Sequence, residues 1–205
     1  MEGIMFKPEM IWAIIEGRKT QFTRVIKPQP KRINDDFDGT WEWKEKGHYY
    51  DDLTLASMLR ENARYQVGEV VYIKEAFCPE CYKIDGVEDA CYKIDEYDPE
   101  SIPTYIDCLE LKWESPLFMP AWAARYFIVI TDVKVQKLKD ISLPECEAEG
   151  FAFMGLDAGC SACDTESHSY FGSRIHFAEY WDSINPKYPW ESNPWVFAYT
   201  FKIKQ

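Results

Sequence analysis

The chain has 205 residues, is 46% hydrophobic and 16% aromatic, and carries a formal charge of -12 at pH 7. That is enough apolar material for a real core, most simply one domain with insertions, and no stretch approaches the roughly 18 consecutive apolar residues a membrane span needs. The acidic total argues against sequence-independent duplex binding, which depends on many phosphate contacts, but leaves room for a small focused site.

The N-terminus has no basic-then-apolar leader with a small-residue cleavage site, so a cytoplasmic location is expected. Seven cysteines is an odd number, which in that setting suits thiols or metal ligands better than disulfides.

Residues 8–16 predict a short helix, with Pro8 at its first position and Gly17 just past its end. It is apolar almost all round, so more than one face should be buried. The run Gly17-Arg-Lys-Thr-Gln-Phe-Thr-Arg24 follows and concentrates charge. Residues 1–32 hold seven Lys/Arg (Lys7, Arg18, Lys19, Arg24, Lys27, Lys31, Arg32) against three acids, Glu2, Glu9 and Glu16. A basic segment on an acidic protein points to a local anion site, with phosphate of a nucleotide or nucleic acid the first candidate.

Residues 33–65 are polar and aromatic and predict no clear element. Residues 69–77 predict a strand with Val71, Ile73, Glu75 and Phe77 on one face. A carboxylate on that face needs a cationic or hydrogen-bonding partner, for which Lys19 is the expected choice. Residues 78–114 carry eleven acids and three lysines and read as an insertion. Within it Cys81-Tyr-Lys-Ile-Asp85 recurs as Cys91-Tyr-Lys-Ile-Asp95, and two β-prone copies around Gly86 suggest a hairpin.

Further strands are expected at 126–135 and 195–203, a short helix near 143–149 and a longer one over 174–184 with Phe177, Trp181 and Ile184 on one stripe. Residues 151–173, rich in Gly, Ser and Asp, read as a second insertion in loop form. Strands interleaved with short helices, lacking a regular βαβ rhythm, predict an α+β fold around a small barrel or curled sheet.

Two Cys-x-x-Cys pairs, Cys78/Cys81 and Cys160/Cys163, match the ligand count of a structural all-cysteine zinc site, with His168, Cys91 and Cys108 in reserve. Thiol exchange at Cys78-Pro-Glu-Cys81 and ordinary cytosolic thiols are the other readings.

Gly17-Arg-Lys-Thr-Gln-Phe-Thr-Arg24 resembles the Gly-x-Lys-x-x-x-x-Arg signature of ASCH domains, which are PUA-like β-barrels associated with RNA. Met119-Pro-Ala-Trp-Ala-Ala-Arg125, Ile141-Ser through Gly150, Tyr180-Trp-Asp-Ser-Ile-Asn185 and Asn193 to Phe201 are similar to a phage and prophage subfamily of that domain. The resemblance implies a small PUA-like barrel that binds RNA, single-stranded DNA or a modified nucleoside in a basic cleft around Lys19, Arg24 and Glu75.

One bacterial branch hydrolyses the acyl amide of N4-acetylcytidine with a Lys, a Thr and a Glu. These map onto Lys19, Phe22 and Glu75, and Phe22 carries no nucleophile, so binding leads and an amidohydrolase or related RNA-processing activity is the alternative. Thr20 and Thr23 are the neighbouring hydroxyls. Arg18, Arg24, Lys74, Trp122 and Arg125 are the expected contacts to the ligand, Arg125 with Trp122 suiting base stacking, although Trp122 reads slightly better as core.

Overall fold

The computed structural model describes residues 1–34, 40–44, 46–78, 91–92, 112–151 and 165–204, without the side chains of Asn34, Cys91 and 165–172. Among these the fold is mixed α+β, with a five-stranded sheet, a three-stranded sheet, a two-stranded ribbon and four α-helices. The larger sheet comprises β1 (Gly3–Met5), β2 (Gln21–Val25), β6 (Val70–Lys74), β9 (Phe127–Lys137) and β10 (Trp195–Ile203), in the order β1-β6-β9-β10-β2. No pairing that would close it occurs among the described residues.

The chain divides into two compact units, each built from separated segments. The first consists of Met1–Trp12, Glu69–Val129 and Lys202–Gln205. In it β1 runs parallel to β6, with Ile4 opposite Ile73, and β6 runs antiparallel to β9, with Val71 opposite Ile128. These four side chains are buried, as a strand covered on its inner face requires. Beyond β6 the chain forms β7 (Phe77–Cys78), which pairs antiparallel with β8 (Cys91–Tyr92). The expected hairpin between the two repeat copies falls mostly outside the described residues, which include only Cys91 and Tyr92 of it. Cys91 lies opposite Cys78, so β8 pairs with the residues ahead of the first repeat copy. Packing accounts for this register, since Tyr92 lies against Phe77, Met119 and Ala123 and its hydroxyl donates to the Ala123 carbonyl at 2.5 Å.

The second unit consists of Ala13–Gly68 and Ile130–Phe201. Here β10 pairs antiparallel with β2, setting Tyr199 opposite Phe22 and Ala198 opposite Thr23. The strand expected at 195–203 is present, and Val196 to Tyr199 are all buried, so both of its faces are covered over this stretch. Phe22 stacks on Tyr199 at 4.9 Å, and Tyr65 and Phe201 close around the pair.

Residues 33–65 resolve into β3 (Lys31–Asn34), β4 (Thr40–Glu42), β5 (Tyr49–Tyr50) and α2 (Asp52–Glu61), the helix capped by the Asp51 carboxylate. The helix α3 (Leu143–Ala148) opens with a capping box between Ser142 and Glu145, as the Ser-x-x-Glu spacing dictates. Helix α4 spans Thr165–Ile184, so residues 165–173 are helical where a loop was expected. Their own propensity is low, but a helix already nucleated by Phe177 and Trp181 against Leu138, Ile141, Cys146 and Val196 extends at little cost. At the other end of the chain α1 (Pro8–Ile15) occupies the predicted span, with Met10, Ile11, Ala13 and Ile14 all buried.

Candidate functional site

In the second unit Gly17 sets the geometry of the basic run. It adopts a φ of +75°, its N–H closes the helix on the Ile14 carbonyl, and the next turn returns Lys19 N–H to the Ala13 carbonyl at 2.8 Å. Lys19 then bridges to Glu149 in an isolated antiparallel pair, and Thr20 N–H donates to the Ala148 carbonyl. Gly150 follows at a φ of +93°, the left-handed region that favours glycine. A Cβ there would make only ordinary contact, 3.4 Å from the Lys19 Cβ and 3.5 Å from the Ala13 Cβ.

This backbone contact turns the Lys19 side chain inward. Its ammonium donates to Glu149 Oε2 at 2.6 Å and to the Glu149 carbonyl at 2.7 Å. The other carboxylate oxygen, Oε1, accepts from Thr23 Oγ1 at 2.5 Å. Lys19 and Glu149 are 2% exposed and Thr23 is 5% exposed. Two of the sequence-predicted residues, Lys19 and Thr23, therefore converge on one carboxylate. Burial pushes the Lys19 ammonium below the usual lysine range; Glu149 resists the shift through charge and hydrogen bond, and the nearby Arg24 charge adds to it.

The other members of the run face elsewhere. Thr20 is exposed, and Arg18 is exposed and pairs with Glu16. Arg24, half-buried, lies 5.2 Å from the Phe22 ring and donates to the Thr23 carbonyl. The basic patch expected at the surface thus loses its central cation to the interior.

Glu149 was not singled out from the sequence. The available signal was a carboxylate at a helix C-terminus, just before a glycine. A negative charge opposes the helix dipole there and calls for a cation, which Lys19 supplies.

In the first unit Glu75 follows the end of β6 and is buried, as its place between Ile73 and Phe77 predicted. Its described partner within the unit is Arg125, whose Nε donates to Oε2 and Nη2 to Oε1, each at 3.0 Å. The guanidinium also lies 4.0 Å from the Tyr92 ring centroid and 4.9 Å from that of Tyr126. One edge of Arg125 is therefore committed to Glu75 in a two-point pair. Lys74 donates to the Leu117 carbonyl at 3.0 Å. Trp122, expected as a ligand contact with a leaning to core, is 65% exposed and so a surface ring. Leu117 and Phe118 are exposed beside it in sequence, on a segment held by the Tyr72 hydroxyl at the Met119 carbonyl.

Of the four cysteines assigned to zinc, Cys78 is a buried free thiol, while Cys81, Cys160 and Cys163 lie outside the described residues, as does Cys108. His168 falls in α4. No group of three metal-ligating side chains occurs among the described residues.

Chemically, the Lys19–Glu149–Thr23 cluster joins a hydroxyl, a base and a cation in one dry site. The carboxylate can take a proton from the hydroxyl while the ammonium holds it in place. The Glu75–Arg125 pair holds a guanidinium charge against the rings of Tyr92 and Tyr126.

No protein-family model matches the chain, and no curated protein does. Among solved structures, the crystal structure of a DUF984 protein from Enterococcus faecalis is similar, at 11% identity over 99% of this chain and 80% of that one, with a TM-score of 0.40.

Proposed function

We propose that the chain is an ASCH-type domain with a PUA-like barrel that binds a modified nucleoside or an unpaired nucleotide of RNA or single-stranded DNA. The observation that carries the reading is the convergence of Lys19 and Thr23 on Glu149 within the run that resembles the ASCH signature. In this reading Lys19 and Thr23 meet the polar edge of the base and Arg24 meets the phosphate. Arg18 lies at the rim. The test is equilibrium binding of a panel of modified nucleosides and short RNA and DNA single strands. Lys19→Met is expected to abolish binding of the best ligand while the far-UV spectrum stays native. Unchanged affinity in that folded variant at low salt would overturn the proposal.

The 2.5 Å bond from Thr23 to Glu149 supports a second reading, an amidohydrolase acting on an N4-acylated cytidine. Thr23 Oγ1 would attack the acyl carbon as Glu149 takes its proton, the amine would leave with that proton, and water would hydrolyse the resulting ester. Thr23→Val separates the two readings. It ends turnover and spares binding if Thr23 is the nucleophile, and weakens binding if Thr23 only contacts the base.

A structural zinc held by Cys78, Cys81, Cys160 and Cys163 is proposed on their spacing. Protein purified without chelator is expected to carry one zinc per chain, and a metal-free preparation that folds normally would end the idea.

A further inference from the structure

Away from Lys19, the second unit gathers two cations on a pair of indoles. Trp41 and Trp195 meet edge to face with centroids 5.3 Å apart. The Lys137 ammonium lies 4.7 Å from the Trp195 centroid and 5.3 Å from that of Trp41, and the Arg32 guanidinium lies 5.9 Å from Trp41. The backbone explains the grouping. Arg32 is the register partner of Trp41 across β3 and β4, and Leu138 N–H donates to the Pro194 carbonyl, holding the end of β9 at the start of β10.

Like charges on one ring repel. Burial pushes Lys137 below its ordinary range; Asp140 offsets this in part and Arg32 pushes it further down. An anion at this point would reverse both effects.

The hydrogen-bonding groups point the same way. Trp41 donates its indole N–H to Asp52, Trp43 to the Pro28 carbonyl and Trp181 to the Tyr188 carbonyl. The Trp195 indole N–H is buried and has no partner. Its backbone, by contrast, is clamped on both sides, since its N–H donates to Gln29 Oε1 at 2.7 Å and its carbonyl accepts from Gln29 Nε2 at 2.9 Å. A buried donor left unmade is costly, so the Trp195 N–H beside two cations calls for a polar occupant.

We propose that Arg32, Lys137 and the Trp195 indole N–H form a subsite for a phosphate group. Two cations and a fixed neutral donor suit an oxyanion with several acceptor oxygens and more than a single charge, and arginine presents a fork matched to phosphate. The site is independent of the Lys19 cluster and stands whether or not that cluster binds a nucleoside. The phosphate comes either from a small molecule or from a single-stranded nucleic acid, and the chemistry of contact is the same.

The experiment is a titration of the full chain, followed by the indole N–H signals in a proton–nitrogen correlation spectrum. The probes are inorganic phosphate, pyrophosphate and a short oligothymidylate at constant ionic strength, with Trp195→Phe identifying the Trp195 signal. The Trp195 signal is expected to shift saturably with at least one probe while those of Trp43 and Trp181 stay in place. Lys137→Gln and Arg32→Gln should each weaken that probe by about tenfold, and Lys137→Arg should retain binding. Tighter binding of oligothymidylate identifies a polymer as the source, and tighter binding of pyrophosphate a small molecule. Should Lys137→Gln disturb the Trp43 signal, Arg32→Gln carries the test from an exposed position. A Trp195 signal unmoved by all three probes, or shifted equally in a folded charge-removed variant, would overturn the proposal.

Discussion

Two buried carboxylates, one in each unit, are answered by cations in different ways. Glu149 meets Lys19 where both side chains are nearly sealed from water, at 3% and 2% exposure, and shares its second oxygen with Thr23. Glu75 meets Arg125 through two parallel bonds, and the guanidinium keeps 27% of its surface exposed while two tyrosine rings lie against it. Lysine is a point charge that burial can strip of its proton, whereas arginine keeps its charge in any protein setting. Of the two cations, Lys19 is therefore the one whose proton burial loosens, while Arg125 keeps its charge.

The sharpest way to break this comparison is to remove Glu149. Glu149→Ala leaves a lysine charge in a dry site and a threonine hydroxyl without its acceptor. The expected loss is about 3–5 kcal/mol, the usual cost of orphaning one partner of a buried ion pair. Urea unfolding measures it, and the double variant Lys19→Met with Glu149→Gln should regain much of the loss because the stranded charge is gone. A loss within about 1 kcal/mol would mean that the pair is wetter than its burial indicates.

Arg125→Ala is expected to cost less, about 2–3 kcal/mol, since the partly exposed guanidinium can be replaced by water at the Glu75 carboxylate. Arg125→Lys should recover less than half of that, because an ammonium cannot reproduce the two-point bond or lie flat on Tyr92. Full recovery by lysine would show that only charge matters at Glu75, and the distinction between the two clusters would then rest on burial alone.

How far the sequence led to this point depended on whether the signal was local. Pro8 and Gly17 bracket α1, and Ser142 with Glu145 opens α3, because caps and glycine turns are set by a few adjacent residues. The buried carboxylate at Glu75 was legible as a polar break in an apolar strand face. Its partner within the unit was not, because Arg125 arrives from 50 residues away and nothing local distinguishes it from Lys19. The same holds for Glu149, brought to Lys19 across 130 residues by the helix end and the left-handed turn at Gly150. Trp122, named as a ligand contact with a leaning to core, shows the same limit, because its segment follows the short turn at Pro116–Phe118 and leaves the ring in solvent, which no adjacent residue dictates.

The smallest expected effect is confined to alkaline pH and separates the lysine from its acidic neighbours by sign. Burial raises the Cys146 thiol from 9.0 to about 12 and the Tyr199 hydroxyl from 10.0 to about 12. Between the unfolded and folded values the unfolded chain releases these protons while the folded chain keeps them, so stability falls as pH rises through 9 to 12. Lys19 works in the opposite direction. Its folded value is lowered from 10.5, so in the window below 10.5 the unfolded chain binds the proton more strongly and stability rises with pH. The net slope from pH 9 to 10.5 is thus a difference between losses at Cys146 and Tyr199 and gains at Lys19 and Lys137. Urea unfolding at intervals across that range should give a steeper fall for Lys19→Met than for the parent chain, and a shallower fall for Cys146→Ala. Tyr199→Phe should leave the slope below pH 10 alone and flatten it above. Equal slopes for the parent and Lys19→Met would mean that Lys19 keeps its proton as firmly in the fold as in water, and the titratable character assigned to the Glu149 cluster would be lost.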